Sequence, residues 1–191
     1  TLYNSSVSPQ EQNLNLSTKV VNEGLSNEYI AWDVSNVTEM SYMFSPTPSL
    51  NVPYPFLIEN WNTQNVTSMA YMFRWQSSFN CDITTKEVTV GNNTYNQWNV
   101  SNVRSMRGMF TATRENYNFY NSVDPNLYSH VNWNFVSKFN QDISTWDVSN
   151  VSVMNGMFDN ATNFNQDISS WDVSNIVYIK EMFIGATNFN Q

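Results

Sequence analysis

The sequence has few charges and few basic residues. Only 13% of its 191 residues are charged, and eight Lys or Arg stand against sixteen Asp or Glu, for a net charge of -8. Phosphate backbones require a face rich in Lys and Arg, so this composition argues against a nucleic-acid-binding function. Extensive contact with anionic lipid is disfavoured for the same reason.

Cysteine and long apolar runs are also scarce. Cys81 is the single cysteine, so no intrachain disulfide can form, and we interpret it as a small buried hydrophobic residue. No stretch approaches the roughly 18 consecutive apolar residues that a membrane-spanning helix needs. The sequence begins at Thr1, without Met or a signal peptide, which suggests a processed or excerpted piece.

Neutral polar residues are abundant instead, with Asn occurring 31 times. Sequons of the form N-x-S/T occur at Asn4, Asn15, Asn36, Asn65, Asn92, Asn99, Asn150 and Asn160. Chance alone would give about six in such a composition, so the number is uninformative. The candidate glycosylation sites are Asn4, Asn15, Asn92 and Asn160.

An internal repeat is the strongest signal, because a fixed period changes the expected fold. The pattern Trp-Asp-Val-Ser-Asn-Val or a close variant begins at Trp32, Trp61, Trp98, Trp146 and Trp171, and the last two copies are 25 residues apart. Each copy continues with Met-x-x-Met-Phe or a variant, and all nine methionines occupy these slots. We interpret them as adaptable core residues, with a metal site or a promiscuous groove as the alternative.

Periodicity within a repeat predicts its local structure. Residues 171–173 alternate apolar and polar, which is typical of a short strand with Trp171 and Val173 on one face. Residues 175–183 place apolar side chains at i, i+3, i+6 and i+7, which predicts a short helix, and Asn36 with Glu39 has capping-box spacing.

A single unit of this kind cannot bury its apolar face, whereas stacked units share one continuous core. We therefore predict an α/β fold, a right-handed, leucine-rich-repeat-like solenoid of strand/short-helix repeats with inserted loops. Residues 1–29 are the expected N-terminal cap or linker. Residues 30–191 are the expected five-repeat solenoid, with insertions at about 45–60, 86–97 and 111–138.

The string Phe-Asn-Gln-Asp-Ile-Ser-Ser-Trp-Asp-Val-Ser-Asn at residues 164–175, followed by Met-x-x-Met-Phe variants, closely resembles the BspA-like leucine-rich-repeat surface proteins. The similar branch carries FNQDIS/WDVSNVT repeats and was first noted in mycoplasma surface lipoproteins. The match is strong over 139–191, good in frame over 30–110, and fails over 1–29 and the insertions. The resemblance implies a secreted or surface-anchored protein, on a cell or a virion, without an agreed enzymatic activity.

Two insertions have features of their own. Residues 88–95 read as a hairpin around a Gly91-Asn92 turn. The 111–138 loop is rich in aromatics, and its candidate binding residues are Tyr117, Phe119, Tyr120, Tyr128, Trp133 and Phe135. These side chains either pack on the flank of the repeats or form a platform for sugar rings or a protein partner. His130 lacks a second metal ligand and a nucleophile, so we predict no catalytic or metal site there.

Aspartates recur in register with the repeat. Asp33, Asp147 and Asp172 follow the repeat Trp, whereas Asp82, Asp142 and Asp167 end the Phe-Asn-x-Asp string. Stacking would bring copies within about 5 Å of one another, a spacing at which a pair could bind calcium. Turn-capping carboxylates are the preferred interpretation, because no EF-hand or glycine-rich calcium loop is present.

These features predict a non-enzymatic, extracellular or surface-displayed scaffold for protein–protein interaction, adhesion or assembly, without a required cofactor. The alternatives are a carbohydrate-binding module that uses the loop aromatics, and a structural protein of a virion surface or appendage. We also expect further repeats, a partner subunit or self-association to cover Met182, Phe183 and Phe189 in the last repeat.

Overall fold

The computed structural model describes residues 17–21, 29–45, 58–112 and 136–191. Within these ranges the chain forms four strands and no helix. The strands are β1 (Ser17–Val21), β2 (Tyr29–Asp33), β3 (Lys86–Val90) and β4 (Asn93–Gln97). Each pair forms its own antiparallel sheet: β1 with β2, Ser17 opposite Asp33, and β3 with β4, Lys86 opposite Gln97.

The hairpin expected around Gly91 is confirmed. The chain reverses between β3 and β4 at Gly91, whose φ of 60° lies in the left-handed region that glycine adopts without a Cβ penalty. Two side chains tie the hairpin to the repeats, since Gln97 Nε2 donates to Thr84 O and Tyr95 Oη donates to Asn60 O.

Successive repeats lie side by side through parallel contacts. We call the five copies coils 1 to 5; they begin at Trp32, Trp61, Trp98, Trp146 and Trp171. Single-residue parallel bridges connect each coil to the next at Glu39, Ser68, Ser105, Val153 and Tyr178. The parallel pairing therefore falls after the Trp segment in which a strand was expected. The right-handed, leucine-rich-repeat-like solenoid itself stays a prediction.

The Met-x-x-Met-Phe segments form tight turns, so the predicted short helix over 175–183 is wrong. In coil 1 the Met43 N–H donates to Met40 O at 3.2 Å, and the third residue of the turn, Tyr42, has a φ of 61°. The same left-handed position recurs at Tyr71, Gly108, Gly156 and Glu181. A β-turn brings i and i+3 together as a helix does, which explains why the apolar spacing was misleading. Glu39 does not cap a helix; its Oε1 accepts the Ser41 N–H.

The backbone N–H groups of these turns donate alternately to the next coil and to their own coil. In coil 2 the N–H groups of Met69, Tyr71, Phe73 and Trp75 donate to carbonyls of coil 3 at 2.7–2.9 Å. The intervening N–H groups of Met72, Arg74 and Gln76 donate three residues back along their own coil. The segment thus leaves no buried backbone donor unpaired, as a folded core requires. These hydrogen bonds offset the roughly 1–2 kcal/mol that the left-handed backbone conformation of Tyr71 costs.

The core consists of stacked aromatic columns with methionines between them. One column contains Phe44, Phe73, Phe110, Phe158 and Phe183, with successive ring centroids 5.4–5.8 Å apart. A second contains Phe79, Phe139, Phe164 and Phe189, at 5.8–6.1 Å. All nine methionines are buried, which confirms their interpretation as core residues.

Tryptophans bind adjacent coils together through their indole groups. The Nε1–H groups of Trp98, Trp146 and Trp171 donate to the carbonyls of Ile58, Ile83 and Ile143, at 2.9–3.1 Å, and each Ile lies before the Trp that begins the preceding coil. Trp146 and Val148 are buried and Asp147 is exposed, as the alternation at that position predicted. Cys81 is only half-buried; burial raises the pKa of its thiol, and the nearby Glu59 carboxylate adds to this effect.

Candidate interaction surfaces

The aromatic loop is anchored on coil 4, but its candidate binding residues lie outside the described residues. These are Tyr117, Phe119, Tyr120, Tyr128, Trp133 and Phe135, together with His130. The structure describes both ends of the loop. The Ala112 N–H donates to Asp159 O at 2.9 Å, and the Ser137 N–H donates to Asn160 O at 3.2 Å. The two described ends of the loop, at Ala112 and Ser137, therefore both bond to adjacent residues of coil 4.

An aromatic–arginine cluster lies beside the start of this loop. We use this name for Tyr42, Tyr71, Arg74, Trp75 and Arg107 on coils 1 to 3. The Tyr42 and Tyr71 rings stack with centroids 4.8 Å apart. The Arg107 guanidinium lies 5.7 Å from the Tyr71 centroid, and that of Arg74 lies 3.9 Å from the Trp75 centroid. The backbone connects the cluster to the loop, because the Trp75 N–H donates to Thr111 O.

Glycine at position 108 permits the cluster to form. A Cβ at Gly108 would lie 2.4 Å from a Tyr71 ring carbon, well inside van der Waals contact. The residue also has a φ of 55°, which suits glycine. Tyr71 can therefore lie flat over coil 3, between Tyr42 and Arg107.

Arg74 has an unusual electrostatic environment. Only 6% of the residue is exposed, and neither Nε nor Nη2 has a hydrogen-bond acceptor among the residues that the structure describes. The faces of Trp75 and Tyr71 supply the favourable contacts, and cation–π contacts of this kind are worth about 2 kcal/mol when desolvated. The arrangement concentrates positive charge and aromatic surface in a protein whose net charge is -8.

Asparagine side chains form ladders between coils. The Nδ2 groups of Asn65, Asn102, Asn150 and Asn175 each donate to a backbone carbonyl of the preceding coil, at 2.7–2.8 Å. A second ladder runs through Asn80, Asn140 and Asn165, whose Oδ1 atoms accept the backbone N–H of the next Asn at 2.8–2.9 Å. Identical side chains recur at the coil spacing, where charges would repel, so neutral amides suit these positions.

These ladders were missed in the sequence, although Asn at a fixed place in every repeat was the available signal. They give the abundant Asn a structural role. The repeated faces are consequently similar from coil to coil and offer little to distinguish one partner from another.

The recurring aspartates cap turns. Asp33, Asp147 and Asp172 each accept, through Oδ1, the backbone N–H two residues ahead, and Asp82, Asp142 and Asp167 do the same. Asn62 and Asn99 fill the same role in coils 2 and 3. Hydrogen bonds from Ser169 and Ser174 lower the pKa values of Asp167 and Asp172. In the described coils no group of three or more His, Cys, Asp or Glu is placed to hold a metal.

The candidate glycosylation sites occupy different environments. Asn92 is exposed at the tip of the β3–β4 hairpin. Asn160 is half-buried with a φ of 54°, and its Nδ2 donates to Asp159 Oδ1, so a glycan on that nitrogen is disfavoured. Asn4 and Asn15 lie outside the described residues. Asn92 is thus the candidate whose surroundings leave most room for a glycan.

No helix in the described part of the chain has the length and apolar character needed to cross a bilayer. A family model described as "Mycoplasma protein of unknown function, DUF285" matches residues 14–124 and 129–191. Comparison with curated proteins and with solved structures gave no match. Because the family model covers nearly all of the chain, including all five coils, the chain belongs to the DUF285 family.

Proposed function

We propose that this chain is a non-enzymatic, BspA-like leucine-rich-repeat scaffold, displayed outside the cell or on a cell or virion surface, that binds a protein partner. The observation that carries the proposal is the aromatic–arginine cluster at the base of the 111–138 loop, in which half-buried Tyr42 and exposed Arg107 are accessible and are supported by the buried Tyr71, Arg74 and Trp75. Tyr, Trp and Arg are the residues that dominate binding energy at protein interfaces.

The distribution of residues supports separate roles for the repeat positions, which stabilise the fold, and for the cluster and the loop, which bind the partner. Repeat positions have structural roles: the Trp indoles and the Asn amides bond to a neighbouring coil, and the Asp carboxylates cap turns within their own coil. The features that differ from coil to coil include the hairpin 86–97, the loop and the cluster at its base, and the last two combine aromatic residues with Arg. Specific recognition therefore falls to these two features.

The alternative of carbohydrate binding has one supporting observation. The half-buried Tyr42 ring, held by stacking on buried Tyr71, lies in the same cluster as the exposed Arg107, and sugar rings pack on accessible aromatic rings. This alternative differs from the main proposal in the ligand and not in the place.

A loop replacement tests the proposal. Residues 111–138 are replaced by the five residues 159–163, which link Phe158 to Phe164 in coil 4. The parent and the variant are then compared on an array of extracellular proteins and on a glycan array. The matched control removes the hairpin 86–97, a second insertion that lacks the cluster.

We expect protein ligands that are retained by the hairpin deletion and lost, by about tenfold or more, in the loop replacement. Ligands found on the glycan array alone would support the carbohydrate alternative. Binding that both variants retain in full would contradict the assignment of recognition to the loop and its base.

A further inference from the structure

The outer face of coil 5 exposes residues whose equivalents are core residues elsewhere. Val148 in coil 4 is 1% exposed, and its equivalent Val173 is 51% exposed. Met154 is fully buried, and its equivalent Ile179 is 50% exposed. Ile184 is exposed as well, although the equivalent Asp159 is buried. In coil 4 these positions are covered by the next coil, so coil 5 has the surface of a coil that lacks its neighbour.

The backbone of coil 5 shows the same unfilled pattern. In coil 4 the N–H groups of Met154, Gly156, Phe158 and Asn160 donate to carbonyls of coil 5 at 2.7–2.9 Å. The equivalent N–H groups of Ile179, Glu181, Phe183 and Gly185 have no acceptor among the described residues. They form a row of four donors at every second residue along one edge.

Two hydrogen-bond acceptors lie on the same outer face as the row of four N–H donors. At the junctions between coils 2 and 3, 3 and 4, and 4 and 5, the carbonyl of the Ile before one repeat Trp accepts the indole N–H of the next repeat Trp, as Ile143 accepts from Trp171. Ile168, which precedes Trp171, is the corresponding acceptor for the Trp of a further coil. In the same way Asn165 Oδ1 accepts the Asn190 N–H, which leaves Asn190 Oδ1 in the outward position.

We infer that the outer face of coil 5 binds one further coil of this same repeat, in parallel register. Such a coil presents carbonyls to the four donors, an indole N–H to Ile168 O, and Phe side chains that extend the columns ending at Phe183 and Phe189. The same set of contacts joins coils 4 and 5. It does not rest on the loop or on the proposed function.

The row of donors also excludes other occupants. An ordinary strand edge alternates N–H and C=O groups, so its own donors would face the donors of coil 5 and half of the pairs would fail. Two copies of the chain joined by their fifth coils would place donor against donor along this segment. Neither arrangement reproduces the pairing found between coils 4 and 5.

The test is an extended chain that carries a second copy of residues 167–191 after Gln191, which adds one 25-residue period. Amide hydrogen exchange is measured residue by residue. We expect exchange at Ile179, Glu181, Phe183 and Gly185 to slow by about tenfold or more. The matched control carries Met182→Asp and Phe183→Asp in the appended copy only, and we expect no slowing there.

Equal exchange in the extended chain and its control would overturn the inference. The original chain is also measured over a range of concentrations, and the four amides should stay unprotected throughout. Protection that grows with concentration would show that two copies pair at this edge and would overturn the donor argument. Neither readout involves partner binding, so a negative result here is distinguishable from failure of the proposed function.

Discussion

Coils 4 and 5 have closely similar sequences and different environments. Both begin Trp-Asp-Val-Ser-Asn and both contain Ala-Thr-Asn-Phe-Asn-Gln, yet Val148 is buried and Val173 is exposed. Their turns are alike, with left-handed residues at Gly156 and Glu181. The difference shows that a coil's own sequence determines its turns, whereas its neighbour determines its burial.

The largest expected effect is at the repeat tryptophan. Trp146→Ala removes a buried ring and an indole bond to Ile83 O, which should destabilise the fold by about 3 to 5 kcal/mol. Trp171→Ala, on the coil with an open side, should cost clearly less. Denaturant unfolding of both variants checks the comparison. A cost below about 1 kcal/mol for Trp146→Ala would contradict its inward assignment.

The valine pair tests burial with little change in chemistry. Val148→Ala removes two buried methyl groups and should cost about 1.5 to 2 kcal/mol. Val173→Ala removes the same groups from a half-exposed site and should cost under about 0.5 kcal/mol. Equal shifts in denaturant midpoint would break the distinction between the two coils.

The asparagine ladder gives a smaller effect. Asn150→Ala removes the hydrogen bond from Nδ2 to Ser101 O and should cost about 1 kcal/mol. Asn36 is the matched control, since it has the same place in coil 1, is exposed and makes no such bond within the described residues, and Asn36→Ala should cost close to nothing. Thermal unfolding separates them. Similar costs would mean that the ladder bond adds little.

The hairpin should be dispensable. Deleting residues 86–97 joins Thr85 to Trp98 and restores the 25-residue spacing found between Trp146 and Trp171. It removes the two side-chain bonds that tie the hairpin to the repeats, from Gln97 Nε2 to Thr84 O and from Tyr95 Oη to Asn60 O. We expect a folded protein with stability changed by under about 1 kcal/mol. Loss of a cooperative unfolding transition would show that the hairpin belongs to the core.

The smallest effect concerns acid stability. The pKa of Asp172 is lowered in the folded protein by its bonds from Ser174, so its carboxylate favours folding above the ordinary value of 3.8. That contribution is lost as the pH falls through the lower folded pKa. Asp172→Asn keeps the turn, as Asn62 and Asn99 do, and should reduce the loss of stability between about pH 5 and about pH 2. An unchanged dependence of stability on pH would show that Asp172 does not contribute to acid stability.

The sequence predicted the repeat, the inward Trp, Val, Met and Phe positions, and the hairpin, because each depends on periodicity or on local turn chemistry. It misidentified the turns at residues 175–183 as helix, since apolar residues at i and i+3 suit both structures. It did not predict the Asn ladders or the cluster around Tyr71. Those depend on which coils become neighbours, and the insertions separate these neighbours along the chain.

Amide hydrogen exchange on residues 1–191 tests the central claim most directly, because it compares the same backbone positions in coils 4 and 5. We expect slow exchange at Met154, Gly156, Phe158 and Asn160, which donate to the next coil. We expect fast exchange at the equivalent Ile179, Glu181, Phe183 and Gly185. Continuous protection from 179 to 186 would indicate a helix, and equal protection of the two sets would contradict coil-to-coil pairing as the source of stability.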